Sequence, residues 1–208
     1  MVLTLKLEGN DGQLFGDAHL YHNIAGGLQY ACLTRPDIAY AVNKVSQYMN
    51  SPCDTHWRAV KRILRYLSGT LEHGLFFTQA GNFSLVCYID TDWATSEEDR
   101  RSTTGYCVYL GGNPIAWCSK KQSVVSRSTS EAEYRSLANS VSELIWIEHL
   151  LDEIGVRVAG KPVVWEKVLA DQLSVNFVPF AEQVADILTK PLPPAIFSDM
   201  RSRLGVKS

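Results

Sequence analysis

SLVCYIDTDWATSEEDRRSTTGYCVYLGGNPIAWCS, residues 84–119, holds three short runs of β-forming residues, and its reading decides the fold. Ser84 to Asp90 is an apolar run that closes on a carboxylate. Thr104 to Leu110 and Pro114 to Ser119 follow it, and Gly111-Gly112-Asn113 between them has the composition of a hairpin turn. The longest helical pattern in the chain comes next, Ser130 to Ile154. Short strands are then expected at Pro162 to Trp165 and Leu173 to Val178, and a helix from Ala181 to Thr189. Strands followed by a long helix and by further strand and helix elements predict an α/β fold, a sheet covered by helices.

Upstream of this stretch the pattern is helical. Residues 1–20 have weak periodicity and contain Gly9-Asn10-Asp11-Gly12, so an extended or disordered lead-in is expected. Tyr21 to Leu33 reads as a helix that ends at Thr34-Arg35-Pro36, and Asp37 to Met49 as a second, with Ile38, Val42, Val45 and Met49 at helical spacing. A third begins after Asp54 as N-cap and stops at Gly69. Its apolar stripe is predicted as Trp57, Val60, Leu64 and Leu67, with Arg58, Lys61, Arg62 and Arg65 opposite. That basic side is either a solvated face or a track for a nucleic-acid backbone. Residues 70–82 read as a hairpin-like link. The resulting division is a lead-in (1–20), a small helical segment (21–82), an α/β domain (83–192) and a C-terminal tail (193–208).

The composition is that of an ordinary globular protein: 208 residues, 46% hydrophobic and 20% charged, with a formal charge of −2. Residues 1–82 carry seven Lys/Arg against six Asp/Glu, and the remainder thirteen against sixteen, so neither part is polybasic. Nucleic-acid binding by this chain must therefore be local and salt-sensitive. No apolar run is long enough for a membrane span and no secretory signal is visible, so a soluble intracellular protein of undetermined compartment is expected, without a membrane partner or a defined protein partner. The five cysteines are scattered without a Cys-x-x-Cys pair, which points to reduced core thiols; Cys53-x-x-His56 is the single ligand-like pair. His22, His56, His73 and His149 show no spacing with a Ser or Cys nucleophile, and no Gly-x-Ser-x-Gly elbow occurs, so serine-hydrolase chemistry is unsupported.

Three carboxylates stand out. Asp90 ends the first strand, on the face of Val86 and Tyr88, with Asp92 two positions on as a competitor. Glu133 lies on the line through Leu137, Val141 and Leu144, which should face the sheet; Ser130-x-x-Glu133 is also a capping-box pattern, and Ser128-x-x-Glu131 offers the same box earlier. Asp186 lies in the last predicted helix. If these side chains converge, they can hold divalent cations beside a phosphodiester, because hard cations prefer oxygen ligands.

The run CYIDTDWATSEEDRRSTTGYCVYLGGNPIAWCSKKQSVVSRSTSEAEYRSLA (87–138) resembles the ribonuclease H domain of copia-type LTR retrotransposon polyproteins. LQYACLTRPDIAYAVNKVSQYMNSPCDTHWRAVKRILRYLSGT (28–70) resembles the segment joining the reverse-transcriptase core to that domain, and VPFAEQVADILTKPLP (178–193) its final helix. Nothing resembles the polymerase Asp-Asp motif. The resemblance implies a ribonuclease H-like mixed sheet flanked by helices and magnesium-dependent cleavage of the RNA strand of RNA–DNA hybrids. It places Asp90, Glu133 and Asp186 as catalytic metal ligands. The family's remaining Asp belongs to a Cys-Asp-Asn motif that follows the strand matching Pro162 to Trp165, whereas this chain runs on to Glu166-Lys167-Val168-Leu169.

With only Glu166 to Gln172 before Leu173, the family's parallel crossover is expected not to form. The sheet is therefore expected to be incomplete between Trp165 and Leu173, and activity low or absent. The competing readings are a non-catalytic nucleic-acid-binding remnant, contacting backbone through Arg58, Lys61, Arg62, Arg65, Arg100 and Arg101, and a poorly folded element fragment without a selected role. Trp93 and Trp117 are expected to pack in the core or on the sheet.

Overall fold

The computed structural model describes residues 7–9, 12–96, 98–166 and 175–208. Its first part is a helical cluster. Helix α1 (Ala18–Ala31) is capped by Asp17, whose carboxylate accepts from the Leu20 amide at 2.8 Å. It buries Tyr21, Ala25 and Leu28. Pro36 opens a 3-10 turn (Pro36–Ile38) that runs directly into α2 (Ala39–Ser46), so the predicted second helix is a turn followed by a shorter helix. Buried Tyr21 donates its hydroxyl to the Val45 carbonyl at 2.7 Å and so links α1 to α2.

Helix α3 (Asp54–Ser68) is capped by Cys53, one residue before the predicted cap. His56 Nδ1 accepts from the Cys53 amide at 2.9 Å, and its other ring nitrogen bonds the Glu8 carbonyl at 2.9 Å. The Cys53-His56 spacing is thus a capping device. The same region holds the lead-in: Tyr48 donates to the Leu7 carbonyl, and Phe15 stacks on Trp57 at 4.8 Å. The described part of 7–20 is therefore anchored, while 1–6, 10 and 11 lie outside the described residues. The buried stripe of α3 is His56, Ala59, Val60 and Ile63, with Leu64 at the surface. Trp57, Val60, Ile63, Leu64 and Leu67 are all apolar, so the sequence showed a broad arc without its centre.

The sheet follows. β2 (Leu85–Asp92), β3 (Thr103–Leu110) and β4 (Asn113–Lys121) form an antiparallel meander; β5 (Val163–Glu166) and β6 (Val175–Phe177) extend it in parallel, giving the order β4-β3-β2-β5-β6. Gly111 and Gly112, at φ +57° and +82°, make the two-residue turn between β3 and β4, a conformation that favours glycine. This is a ribonuclease H-like mixed sheet. A short strand, β1 (Gly74–Leu75), pairs with the C-terminal β7 (Val206–Lys207) and not with a hairpin partner of its own.

The expectation that the β5–β6 crossover could not form is corrected. Val164, Trp165 and Glu166 pair in parallel with Val175, Asn176 and Phe177. The strands are so short that the eight intervening residues, 167–174, suffice: an extended chain of that length reaches about 26–29 Å. Those residues, with Leu173 and Ser174 of the predicted strand, lie outside the described ones.

Each sheet face is covered. Helix α4 (Thr129–Glu153) lays Leu137, Leu144, Ile147 and Leu151 on Leu85, Cys87, Ile89, Val108 and Val164. On the opposite face Val184, Ile187, Leu188, Leu192, Phe197, Met200 and Leu204 pack with Cys107 and Tyr109. The expected helix over 181–189 is a pair of 3-10 turns, Phe180–Glu182 and Val184–Leu188, and the last helix is α5 (Pro194–Arg203). Trp117 packs against this second cluster and donates its indole N–H to the Cys32 carbonyl at 2.8 Å, tying the helical cluster to β4.

Candidate active site

Strand alternation puts Asp90 on the Val86 and Tyr88 side of β2, toward the 184–188 turn. There it meets the residues that close that turn. Thr189 donates its hydroxyl to Asp90 Oδ2, and Lys190 Nζ lies 3.4 Å from the same oxygen. Lys190 also reaches Asp186 Oδ1 at 2.9 Å. Asp90 and Asp186, 6% and 2% exposed, are thus joined through one ammonium.

Two further contacts hold the turn at this height. Fully buried Gln183 donates to the Ile89 carbonyl at 2.8 Å and accepts from the Ala185 amide, and Ser119 donates to the Leu188 carbonyl at 2.6 Å. Lys190, Thr189 and Gln183 were not singled out in the sequence. The available signal was the four-residue spacing of Asp186 and Lys190, which suits a charge pair on a helical turn.

Asp92 borders the pair. Burial, with added repulsion from Asp90 and Asp186, raises its carboxyl to about 6 against the opposing pull of Lys190 and Lys44. Lys44, on α2, is held below the usual ammonium range by burial first and by Lys121 next. The upstream helical cluster therefore contributes charge to the edge of this site.

Glu133 rides on α4, which covers the other face of the sheet. The α4 N-cap is Ser128, which accepts from the Glu131 amide, while the Glu131 carboxylate accepts from the Arg127 amide. The capping role expected as the rival for Glu133 thus falls to the earlier pair. Among the described residues, no group of three or more His, Cys, Asp or Glu side chains is placed to hold a metal ion. Asp90 and Asp186 share the Lys190 ammonium, and Asp92 is the third carboxylate at their edge.

Of the basic candidates, Arg58, Lys61 and Arg65 are exposed along α3, and Arg62 is half-buried. Arg100 is exposed at φ +55°, while Arg101 pairs with Asp99 at 3.4 Å. Trp93 donates its indole N–H to the Ser126 carbonyl at 3.2 Å and is partly exposed. No helix among the described residues is long and apolar enough to cross a membrane.

No protein-family model and no solved structure matches the chain. Among curated proteins it is 42% identical over 236 aligned positions, covering 99% of its length, to the retrovirus-related Pol polyprotein from transposon RE2 of Arabidopsis thaliana. The chain belongs to the copia-type retrotransposon Pol family. The Pol polyprotein from transposon RE1 of the same plant matches equally, at 42% over 99% of the chain. That from transposon TNT 1-94 of Nicotiana tabacum is 41% identical over 75% of it. This Pol chain spans 16%, 16% and 12% of the three polyproteins' own lengths. The RE2 alignment is 236 positions long against 208 residues here, so the relative carries residues that this Pol chain lacks.

Proposed function

We propose that this retrotransposon-derived chain is a ribonuclease H-like module that binds RNA–DNA hybrid, and that the magnesium-dependent cleavage implied by its family resemblance is impaired. The observation that carries the reading is the Lys190 ammonium shared by Asp90 and Asp186. A divalent ion at these carboxylates would have to displace that ammonium. The longer RE2 alignment, 236 positions against 208 residues here, supports the same reading, since the Cys-Asp-Asn motif that the resemblance implies is not found after Trp165. Hybrid binding on this reading runs through Arg58, Lys61, Arg62 and Arg65, together with Arg100 and Arg101, and is salt-dependent because backbone phosphates are the contact.

The test is incubation of the full chain with labelled RNA–DNA hybrid and magnesium beside an Asp90→Asn control, with binding followed by anisotropy at several salt concentrations. The expected result is no cleavage above the control together with salt-sensitive binding. Cleavage that is lost in Asp90→Asn would refute the impairment. Folded protein that binds no hybrid would refute the module itself.

A further inference from the structure

The antiparallel register aligns Asp92 of β2, Thr103 of β3 and Lys121 of β4 in one cross-strand row, and residues directly opposite one another point to the same face of the sheet. The neighbouring row on that face is Asp90, Gly105 and Ser119, two residues along the strands and so about 7 Å away. Helix α2 reaches both rows. Asn43 donates to the Ser119 hydroxyl at 3.4 Å, and the next residue, Lys44, interacts electrostatically with Lys121 and Asp92, the two ends of the Thr103 row.

Two polar groups here have no partner among the described residues. Thr103 is 1% exposed, and its hydroxyl makes no hydrogen bond. Lys44 is partly buried, yet its ammonium makes neither an ion pair nor a hydrogen bond among the described residues; it lies over the Tyr40 ring, 5.7 Å from the centroid. The neighbouring cations are engaged: Lys121 pairs with Asp99 at 2.9 Å, and Lys190 bridges Asp90 and Asp186. Asp92 and Asp99 act on Lys44 from beyond ion-pair distance. A partly desolvated ammonium with three donors and no acceptor is costly to hold, so an anionic oxygen brought from outside the chain gains more here than on an open helix face.

We propose that Lys44 receives a backbone phosphate of the bound hybrid over the Asp92-Thr103-Lys121 row, so that the upstream helical cluster supplies part of the binding site. The inference rests on the hybrid-binding reading and adds to it a contact one row from Asp90. Phosphate contacts fix register and carry no sequence information, so this one orients the hybrid beside the Asp90 row and leaves its bases unread.

The full chain is titrated into fluorescein-labelled RNA–DNA hybrid at several salt concentrations and followed by anisotropy. Loss of one phosphate contact lowers the slope of log K against log salt by about 0.9, so Lys44→Met should show that decrease, while Lys44→Arg keeps the wild-type slope. Lys161, exposed and outside the proposed contacts, is the control, and Lys161→Met should leave the slope unchanged. Thermal melts by circular dichroism establish that each variant is folded, and Lys44→Gln, which keeps a polar end, replaces Lys44→Met if that variant is not. An unchanged slope on removal of the Lys44 charge, or an equal decrease in Lys161→Met, overturns the proposal. So does a lowered melting temperature with an unchanged slope, which would leave Lys44 a structural role only. Absence of binding by the wild-type chain overturns the hybrid-binding reading together with this one, whereas wild-type binding with an unchanged slope in the Lys44 variants overturns this one alone.

Discussion

Gly105 lies directly across the β2–β3 ladder from Asp90, and a Cβ at this position would stand 2.6 Å from Thr189 Cγ2 and 2.9 Å from Leu188 Cβ. The missing side chain lets the 184–189 segment settle on the sheet, where Thr189 and Lys190 meet the Asp90 carboxylate. Gly105→Ala should therefore overpack this contact and destabilise the protein by about 1–3 kcal/mol, read as a lower urea midpoint. An unchanged midpoint would show that the segment does not press on β3.

Asp92 should make stability depend on pH. Its folded-state value of about 6 lies above the ordinary 3.8, so between those values the folded chain holds more protons than the unfolded one. Stability contributed by the protonated group is present below the unfolded value and is lost as pH rises through the window from 3.8 to about 6. Asp92→Asn should flatten that slope and raise stability at neutral pH. Urea midpoints for both proteins from about pH 4 to 7 check this, and parallel curves would remove the claim.

Lys190→Met should leave two buried carboxylates without their shared ammonium. A loss of about 2–4 kcal/mol is expected, because uncompensated buried charge is more costly than a missing contact. Adding Asp186→Asn to that variant should recover part of the loss. A double-mutant cycle by chemical denaturation measures the coupling, and strictly additive changes would mean that the bridge is not formed in solution.

His56 accepts from the Cys53 amide and stacks on Tyr48 at 3.9 Å, so its ring is committed to capping α3. His56→Ala should cost about 1–3 kcal/mol through the lost cap and the orphaned amide. Added zinc should leave the melting temperature of the wild-type chain unchanged. A zinc-dependent rise abolished by Cys53→Ser would restore the metal reading of this pair.

Short-range patterns were legible. The meander from residue 84 to 119, its Gly111-Gly112 turn and the core line of α4 all follow from alternation, glycine chemistry and helical periodicity within a single window. The α3 stripe was offset, because five apolar residues on one side of a helix do not reveal which packs deepest. The segment from 181 to 189 was expected as an α-helix and folds as 3-10 turns, held by the bonds of its Gln183 to Ile89 of β2 and of its Leu188 to Ser119 of β4, partners 94 and 69 positions away whose influence no local pattern carries.

Sequence alone determined the α/β class, the family resemblance and the face of β2 on which Asp90 stands, since these depend on residue type and on a two-residue period. Tertiary structure decided which charges share a site. It put Lys190 between Asp90 and Asp186, brought Lys44 from α2 to the edge beside Asp92, and carried Glu133 on the opposite layer. It also allowed the parallel β5–β6 pair across a connection that residue counting had excluded. The physical reason is the same in each case: a charge pair or a strand pair is set by distances of a few ångströms between segments far apart in the chain, and those distances exist only once both sheet faces are packed.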